Sequence, residues 1–331
     1  MEKYPVVETA SPLQRTSRRA VLQTGATALL SGALLQSASK TPTTEPAKLK
    51  VAIFSKHLLF LQGPQLAQAA AGIGFDGIDL AVRKGGHVEP ARVKQDLPGL
   101  VGIIRAHSLE VPMLTTDIVD TGTPYTEDIL QCMSELNIRH YRWGGFKYSD
   151  DTPLPAQLDS LKPRVAKLAA LNSRYRVGAM YHTHSGIDLV GAPIWDLHEL
   201  LSGLDPASVG VNYDVGHATV EGGFGGWIDS FRVTGPYLRG IAVKDFLWEK
   251  SARGEWRPAW KPLGQGMVNL PRFFQMVAAA RFNGPLQLHF EYPLEGVDEG
   301  SKTVSNPKEV FAAMSRDLKQ LRKLLAQAQL A

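Results

Sequence analysis

The stretch SVGVNYDVGHATVEGG, residues 208–223, changes character at Asp214. Up to that point it is a short apolar run of the kind found in parallel sheets that have helices on both faces. Beyond it, His217 and Glu221 stand in a glycine-rich segment that we interpret as a loop. An acid, an imidazole and a second acid this close indicate either a metal and substrate site at a strand end or a solvated turn.

The same alternation of strand and helix recurs along the chain. Strands are predicted at residues 49–55, 75–80, 110–115, 138–143, 175–182, 208–214, 238–245 and 285–292. Apolar residues at helical spacing predict helices at residues 63–74, 89–108, 126–136, 155–172 and 306–329. Eight such units predict an α/β fold, a single-domain (β/α)8 TIM barrel over residues 49–331. The first strand is not followed by the glycine-rich fingerprint of a dinucleotide-binding sheet.

The N-terminal segment has the pattern of an export signal. SRRAVLQTGATALLSGALLQSASK, residues 17–40, combines paired arginines with a weakly apolar stretch and then small residues. It resembles a twin-arginine signal, so we predict a signal peptide at residues 1–39, a linker at 40–48 and a periplasmic or otherwise exported protein. The alternatives are a signal-free tail or a membrane-anchoring helix. The stretch is too short and polar for a good span, so no stable membrane insertion is expected after signal removal.

Composition narrows the range of partners. The formal net charge is +4. The leader has four basic and two acidic residues and so carries a net charge of +2. Its removal therefore leaves the remaining chain with 4 − 2 = +2. This small positive charge does not indicate a nucleic-acid partner. Cys132 is the single cysteine, which excludes an intrachain disulfide and a thiolate metal cluster.

In a TIM barrel the chemistry lies at the C-terminal ends of the strands. Polar side chains collect at four predicted ends, in AMYHTHSG (179–186), NYDVGHATVEGG (212–223), IAVKDF (241–246) and LQLHFEYP (286–293). Because side chains alternate along a strand, His182 shares a face with His184, and His289 shares a face with Glu291. If these faces and Asp214 point inward, imidazole and carboxylate ligands suited to Zn, Mn or Fe meet at the barrel mouth.

Four motifs, in this order along the chain, carry a resemblance to a known family: GFDGIDLAVRKGGHVEP (74–90), DVGHATVEGG (214–223), VKDF (243–246) and PLGQG (262–266). The chain resembles the xylose-isomerase-like barrel superfamily over residues 49–325. That superfamily includes sugar isomerases, sugar epimerases, inositol-catabolic enzymes and an apurinic endonuclease branch.

The resemblance also implies a metal site, with departures. The superfamily commonly uses Glu, Asp, His and Glu on strands five to eight. At these positions the chain has His182, Asp214, Ala242 and His289. We therefore expect His182, Asp214 and His289 to hold one divalent metal, Mn, Zn or Fe. The ligand charge falls from −3 to −1, which leaves the metal a stronger Lewis acid.

Other residues receive roles around this site. Glu291 is the expected catalytic base, because it lies one layer nearer the mouth than His289. Lys244 either stabilises an enolate or pairs with Asp245. His217 resembles a superfamily histidine that binds a substrate oxygen or completes the metal shell, and Glu221 is expected to support it.

Further side chains are expected to contact the substrate. His184 either orients a ligand or binds substrate. Arg142, like Arg83 and Lys56, either binds hydroxyl or carboxylate groups or forms salt bridges. All six tryptophans are predicted at or beyond strand ends, where they seal the rim or stack on a sugar. Trp248 is our candidate for the sugar contact.

These expectations leave three functions open. The leading one is an exported, metal-dependent isomerase or epimerase that acts on a small carbohydrate by proton abstraction next to a carbonyl. The second is a lyase or hydrolase of keto-glycosides, which begins with the same step. The third is a non-catalytic sugar-binding barrel with a degraded metal site.

Overall fold

Eight parallel strands close into a barrel, as the sequence predicts. The computed structural model describes residues 48–331, so the predicted signal peptide and nearly all of the linker lie outside the described residues. The barrel strands are β1 Val51–Phe54, β2 Gly77–Val82, β3 Glu110–Thr116, β4 His140–Trp143, β5 Gly178–His182, β6 Val209–Asp214, β7 Leu238–Val243 and β10 Leu286–Leu288. The barrel closes where β1 pairs with β10, with Ala52 opposite Gln287.

Helices surround the barrel. They are α1 Gly63–Ile73, α2 Val93–Ala106, α3 Thr126–Glu135, α4 Leu154–Tyr175, α5 Trp195–Leu201, α6 Val215–Gly222, α7 Gly226–Thr234, α8 Leu270–Ala279 and α9 Pro307–Gln327. The five predicted helices are present, and four short ones, α5 to α8, were not predicted. Within residues 48–331, no helix combines the length and apolarity needed to cross a membrane.

The interpretation of residues 215–222 as a loop was wrong, because this segment is helix α6. The helix begins directly after Asp214, whose Oδ1 accepts a hydrogen bond from the His217 backbone N–H at 3.0 Å. A side-chain acceptor at this position stabilises the first turn of a helix. The two glycines that suggested a loop, Gly222 and Gly223, end the helix instead.

The alternation of side chains on β6 fixes which residues reach the barrel interior. Val211 and Tyr213 pack in the hydrophobic core, and the Tyr213 hydroxyl donates to the backbone carbonyl of Trp227 at 2.7 Å. Asn212 and Asp214 alternate with them and face inward. A slip of one residue would exchange the two sets, so the apolar packing of β6 also positions its polar residues.

A two-stranded antiparallel hairpin follows β7 and was not predicted. It consists of β8, Asp245–Lys250, and β9, Trp256–Lys261, with Trp260 opposite Phe246 in the register. The chain then passes through the PLGQG segment to α8, as the sequence indicated. The hairpin therefore emerges from the end of the barrel where the strand C-termini lie.

Asp245 connects the hairpin to the PLGQG loop. Its Oδ2 accepts from the backbone N–H groups of Gly264 and Gly266, both at 3.0 Å, and its Oδ1 accepts from those of Phe246 and Val268 at 3.0 and 3.1 Å. A Cβ atom on Gly266 would lie 2.1 Å from Asp245 Oδ1, so the loop needs glycine at that position. One buried carboxylate thus satisfies four backbone donors.

We expect Asp245→Ala to lower the free energy of unfolding by about 3 kcal/mol or more, because buried N–H groups lose a charged acceptor. Asp245→Asn retains one acceptor oxygen and loses less. Urea denaturation of both variants measures this. Asp229→Ala is the matched control, since the Asp229 side chain is 66% exposed. Equal unfolding midpoints for Asp245→Ala and the control would contradict the role given to Asp245.

Candidate active site

The strand ends bring the predicted polar residues together at the C-terminal mouth of the barrel. His182 ends β5, Asp214 ends β6, Lys244 follows β7 and His289 follows β10. The His182 and His289 rings lie 5.4 Å apart, and those of His182 and His184 lie 4.5 Å apart. The inward orientation expected for these strand ends is therefore present.

Lys244 is the centre of the charged contacts. Its Nζ lies 2.6 Å from His217 Nε2, 2.7 Å from Glu291 Oε2 and 3.3 Å from Asp214 Oδ2. The ammonium also lies 4.1 Å from the centre of the Trp260 ring, within the range of a cation–π contact. Its side chain is 2% exposed. Of the two roles left open, pairing with Asp245 is not the one observed.

His217 connects Lys244 to the loop after β5. Its Nε2 faces the ammonium and accepts, so its Nδ1 carries the proton and donates to Ser185 Oγ at 2.8 Å. Burial, with Lys244 adding to it, lowers the pKa of His217 well below its usual value, so the ring is neutral. Glu221, which we expected to support His217, is exposed and accepts from the Gly186 N–H at 2.9 Å. It lies one turn further along α6 and holds the loop that carries Ser185.

Three candidate metal ligands meet beside Lys244. One ligand atom each of His182, Asp214 and His289 lies within 4.8 Å of the others, and His182 Nε2 is 3.6 Å from Asp214 Oδ2. Within residues 48–331, His182 Nε2 and His289 Nε2 are buried without a hydrogen-bond partner. Buried polar atoms normally have partners, so these are free to bind an ion. Two imidazoles and one carboxylate fit a divalent metal with open positions.

The ionisation states also suit metal binding. Burial lowers the pKa of His289 to about 4 and that of His182 well below its usual value, so both rings are neutral at pH 7. Burial raises the pKa of Asp214 to about 6, against the attraction of Lys244. Ala242 lies beside Asp214 in the β6–β7 register and has no ligand atom to offer.

Asn212 orients His182 from behind. Its Nδ2 lies 3.1 Å from His182 Nδ1 and donates to Gln287 Oε1 at 2.9 Å. A His182 that ligates through Nε2 carries its proton on Nδ1 and needs an acceptor there. Rotating the Asn212 and Gln287 amides together by half a turn presents the Asn212 oxygen to that proton, and Gln287 Nε2 then donates to the same oxygen. Asn212 is thus a positioning residue that the sequence interpretation did not single out.

A second group of residues lines the mouth beside His184. Arg142 Nη2 donates to His184 Nε2 at 3.1 Å, and burial lowers the pKa of His184 to about 3. The guanidinium groups of Arg83 and Arg142 lie 5.3 and 6.0 Å from the centre of the Phe54 ring. A cavity of about 120 Å³ opens here, between Arg142 and the two histidines of β5.

The tryptophan at the centre of the site is Trp260. Its ring contacts the edge of His217 at 4.9 Å as well as the Lys244 ammonium. Trp248, the predicted sugar contact, is 38% exposed and packs against Phe246 further along the hairpin. The alternation of side chains over residues 245–261 is the sequence signal that could have distinguished Trp260 from Trp248. It indicates a hairpin in which Trp260 lies nearer the barrel.

A cavity of about 630 Å³ lies at the opposite, N-terminal end of the barrel. Its lining includes Lys50, Arg105, Glu110 and Arg139, and none of the residues that surround Lys244. Cavity size therefore points away from the chemistry. The contacts and ionisation states favour the smaller C-terminal mouth.

A family model described as a xylose isomerase-like TIM barrel matches residues 67–321. The chain belongs to this family. Among curated proteins, none matches the sequence at a significant level. The family assignment agrees with the resemblance drawn from the sequence motifs.

Solved structures of xylose isomerase-like barrels share the fold. D-psicose 3-epimerase with D-tagatose from Clostridium cellulolyticum H10 has a TM-score of 0.62 at 13% identity, over 84% of this chain and 99% of that one. The 3-keto-D-glucoside 4-epimerase of E. coli has 0.60 at 13%, over 83% and 100%. A probable 3-DHS dehydratase from Bacillus anthracis has 0.60 at 18%, over 82% and 99%.

Proposed function

We propose that the protein is an exported, metal-dependent isomerase or epimerase of a sugar or sugar derivative, which removes a proton next to a carbonyl. The family supports a sugar-modifying enzyme, and solved structures of this fold include sugar epimerases and isomerases. The observation that carries the proposal is the Lys244–Glu291 pair beside the cluster formed by His182, Asp214 and His289.

Glu291 has the properties of a general base. Burial alone would raise the pKa of Glu291, but Lys244 and His289 outweigh it and hold the pKa well below its usual range. The side chain therefore stays ionised, and it is 22% exposed toward the mouth. Asp214, the other carboxylate on Lys244, is fully buried and caps α6. Glu291 is thus the one of the two that a substrate can reach.

Lys244 supplies positive charge where negative charge develops. When the base takes the α-proton, charge moves to the carbonyl oxygen, and a preorganised ammonium stabilises it. A divalent metal held by His182, Asp214 and His289 would polarise the same carbonyl when bound. His184, His217 and Arg142 are the candidates for binding substrate hydroxyl groups, and Trp260 and Trp248 for stacking on the ring.

A lyase acting on keto-glycosides is the second candidate function. Epimerisation returns a proton to the opposite face of the substrate carbon, and relatives with two carboxylates on strands five and eight have a base on each side. This chain has His182 and His289 at those positions, and its ionised carboxylate is Glu291. A single base suits proton removal followed by departure of a leaving group. The proton that the departing oxygen needs would come from the Lys244 ammonium.

We expect the protein, stripped of metal by a chelator, to bind one equivalent of Mn, Zn or Fe per chain. Asp214→Asn should weaken binding by at least about 10-fold, because it removes the one carboxylate among the three ligands. The asparagine oxygen still caps α6, so folding is retained. Calorimetric titration measures this, with Asp229→Asn as control. Equal affinity in the Asp214 and Asp229 variants would remove Asp214 from the ligand set.

Glu291→Gln should slow turnover by roughly 10²–10⁴-fold while metal binding is kept, because the shape remains and the proton acceptor is lost. The measurement is incorporation of solvent deuterium into aldoses, ketoses and keto-glycosides, together with release of the leaving group. Glu299→Gln, an exposed change of the same kind, is the control. Exchange by Glu291→Gln at the wild-type rate would exclude Glu291 as the base. Ligand binding without any exchange in the wild type would favour the sugar-binding alternative.

Export is proposed from the sequence, on the Arg18–Arg19 pair ahead of a weakly apolar stretch. We expect the full chain, expressed in a bacterium with a twin-arginine pathway, to lose about its first 39 residues and appear outside the cytoplasm. Replacing both arginines by lysine should retain the precursor inside, while Arg15→Lys, outside the arginine pair, is the control. A product that retains Met1 in the cytoplasm would contradict the proposal.

A further inference from the structure

Three cations at the barrel mouth lack carboxylate partners. Lys56, Arg83 and Arg142 are all partly buried, and within residues 48–331 none of them has a carboxylate oxygen within 4.0 Å. The salt-bridge alternative for these residues is therefore not what the structure shows. Partly buried cations without counter-charge are unfavourable, and an anionic ligand would relieve them.

The three cations belong to one group. Arg83 and Arg142 lie against the same Phe54 ring, and Lys56 is two residues further along the chain. The charges that act on the Lys56 ammonium are those of Glu291, Lys244, Arg83 and Arg142. The three cations are therefore close enough to the candidate base for the charge of Glu291 to act on Lys56.

Asp79, on the inner face of β2, is the acid that acts on Arg142 and Arg83. It does not pair with them: its two oxygens both lie 2.9 Å from Thr115 Oγ1. Burial raises the pKa of Asp79 to about 7, so the carboxyl is partly protonated near neutral pH. It leaves most of the positive charge of Lys56, Arg83 and Arg142 uncompensated.

The ionisable side chains at the barrel mouth have a net positive charge. Lys56, Arg83, Arg142 and Lys244 contribute four positive charges. Asp79, Asp214 and Glu291 contribute at most three negative ones, which leaves 4 − 3 = +1, and a divalent metal would bring this to +3. Since Lys244 is already paired with two carboxylates, the excess lies on the other three cations.

We propose that the substrate is an anionic sugar derivative whose carboxylate or phosphate binds between Arg142, Arg83 and Lys56, while its carbonyl faces Lys244 and Glu291. The inference rests on the proposed function for the reacting end of the substrate, and on the unpaired cations for the anionic end. Guanidinium groups bind carboxylate and phosphate through two parallel hydrogen bonds, which suits both sources of the charge.

The test compares matched ligands. Binding of D-glucose, D-glucuronate and D-glucose 6-phosphate, and of the corresponding galactose series, is measured by calorimetry on the metal-loaded protein. We expect at least one acid to bind about 10-fold or more tightly than its neutral sugar, with a preference that falls as NaCl is raised. The glucuronate and phosphate arms identify which anion the group accepts.

Variants assign the preference to the group. Arg83→Gln and Lys56→Gln should each remove about 10-fold of the affinity for the acid and leave the affinity for the neutral sugar unchanged. Arg253→Gln, on the exposed hairpin turn, is the matched control. Lys56→Gln provides a readout if Arg83→Gln fails to fold.

Deuterium exchange separates this inference from the proposed function. Charge-dependent binding of an acid without exchange supports the anionic subsite and counts against the isomerase or epimerase. If neutral sugars bind or exchange deuterium as well as their acids do, the anionic subsite is overturned, but the proposed function is not. Failure of every acid to bind, or equal binding by the Arg83 and Arg253 variants, also overturns it.

Discussion

The buried Lys244 ammonium is the interaction on which the site depends. A charge removed from water is unfavourable unless it is paired and hydrogen-bonded, and Lys244 is 2% exposed. Three barrel elements supply its partners: Asp214 from β6, His217 from α6 and Glu291 from the chain after β10. Burial keeps His217 neutral, and the ammonium adds to that effect; together with His289 the ammonium keeps Glu291 ionised. Lys244 therefore influences the protonation states of its neighbours as well as their positions.

The metal cluster and Lys244 share an oxygen. Asp214 Oδ2 lies 3.3 Å from Nζ and 3.6 Å from His182 Nε2. A divalent ion bound there would be repelled by the ammonium, and with two carboxylates fewer than the family resemblance implies, the site has less negative charge to hold both cations. Glu291 lies on the far side of Lys244 and supplies part of that charge without being a ligand.

The alternation of eight strands with helices was sufficient to predict the barrel. The alternation of side chains along each strand then predicted the inward direction of His182, Asp214 and His289. The hairpin was missed because the side chains that alternate along residues 245–261 are only partly buried. The segment also begins and ends with a charged residue. The cap on α6 was missed because glycines near its end suggested a loop. Asp79 could not be singled out, since an acid within a strand has no sequence signal for burial; its environment comes from Thr115 and Arg142 on neighbouring strands.

Asp214 serves the fold and the site through different atoms. Oδ1 accepts from the first turn of α6, and Oδ2 faces the cluster. His182 and His289 do not cap a helix. Such residues can therefore be replaced in evolution by other ligands, and the chemistry of the barrel can change step by step. The position at the end of β6 has no such freedom: glutamate would carry its carboxylate one methylene too far to make the same cap. Of the four ligand positions that the family resemblance implies, the one that is unchanged in this chain is the one whose side chain also caps a helix.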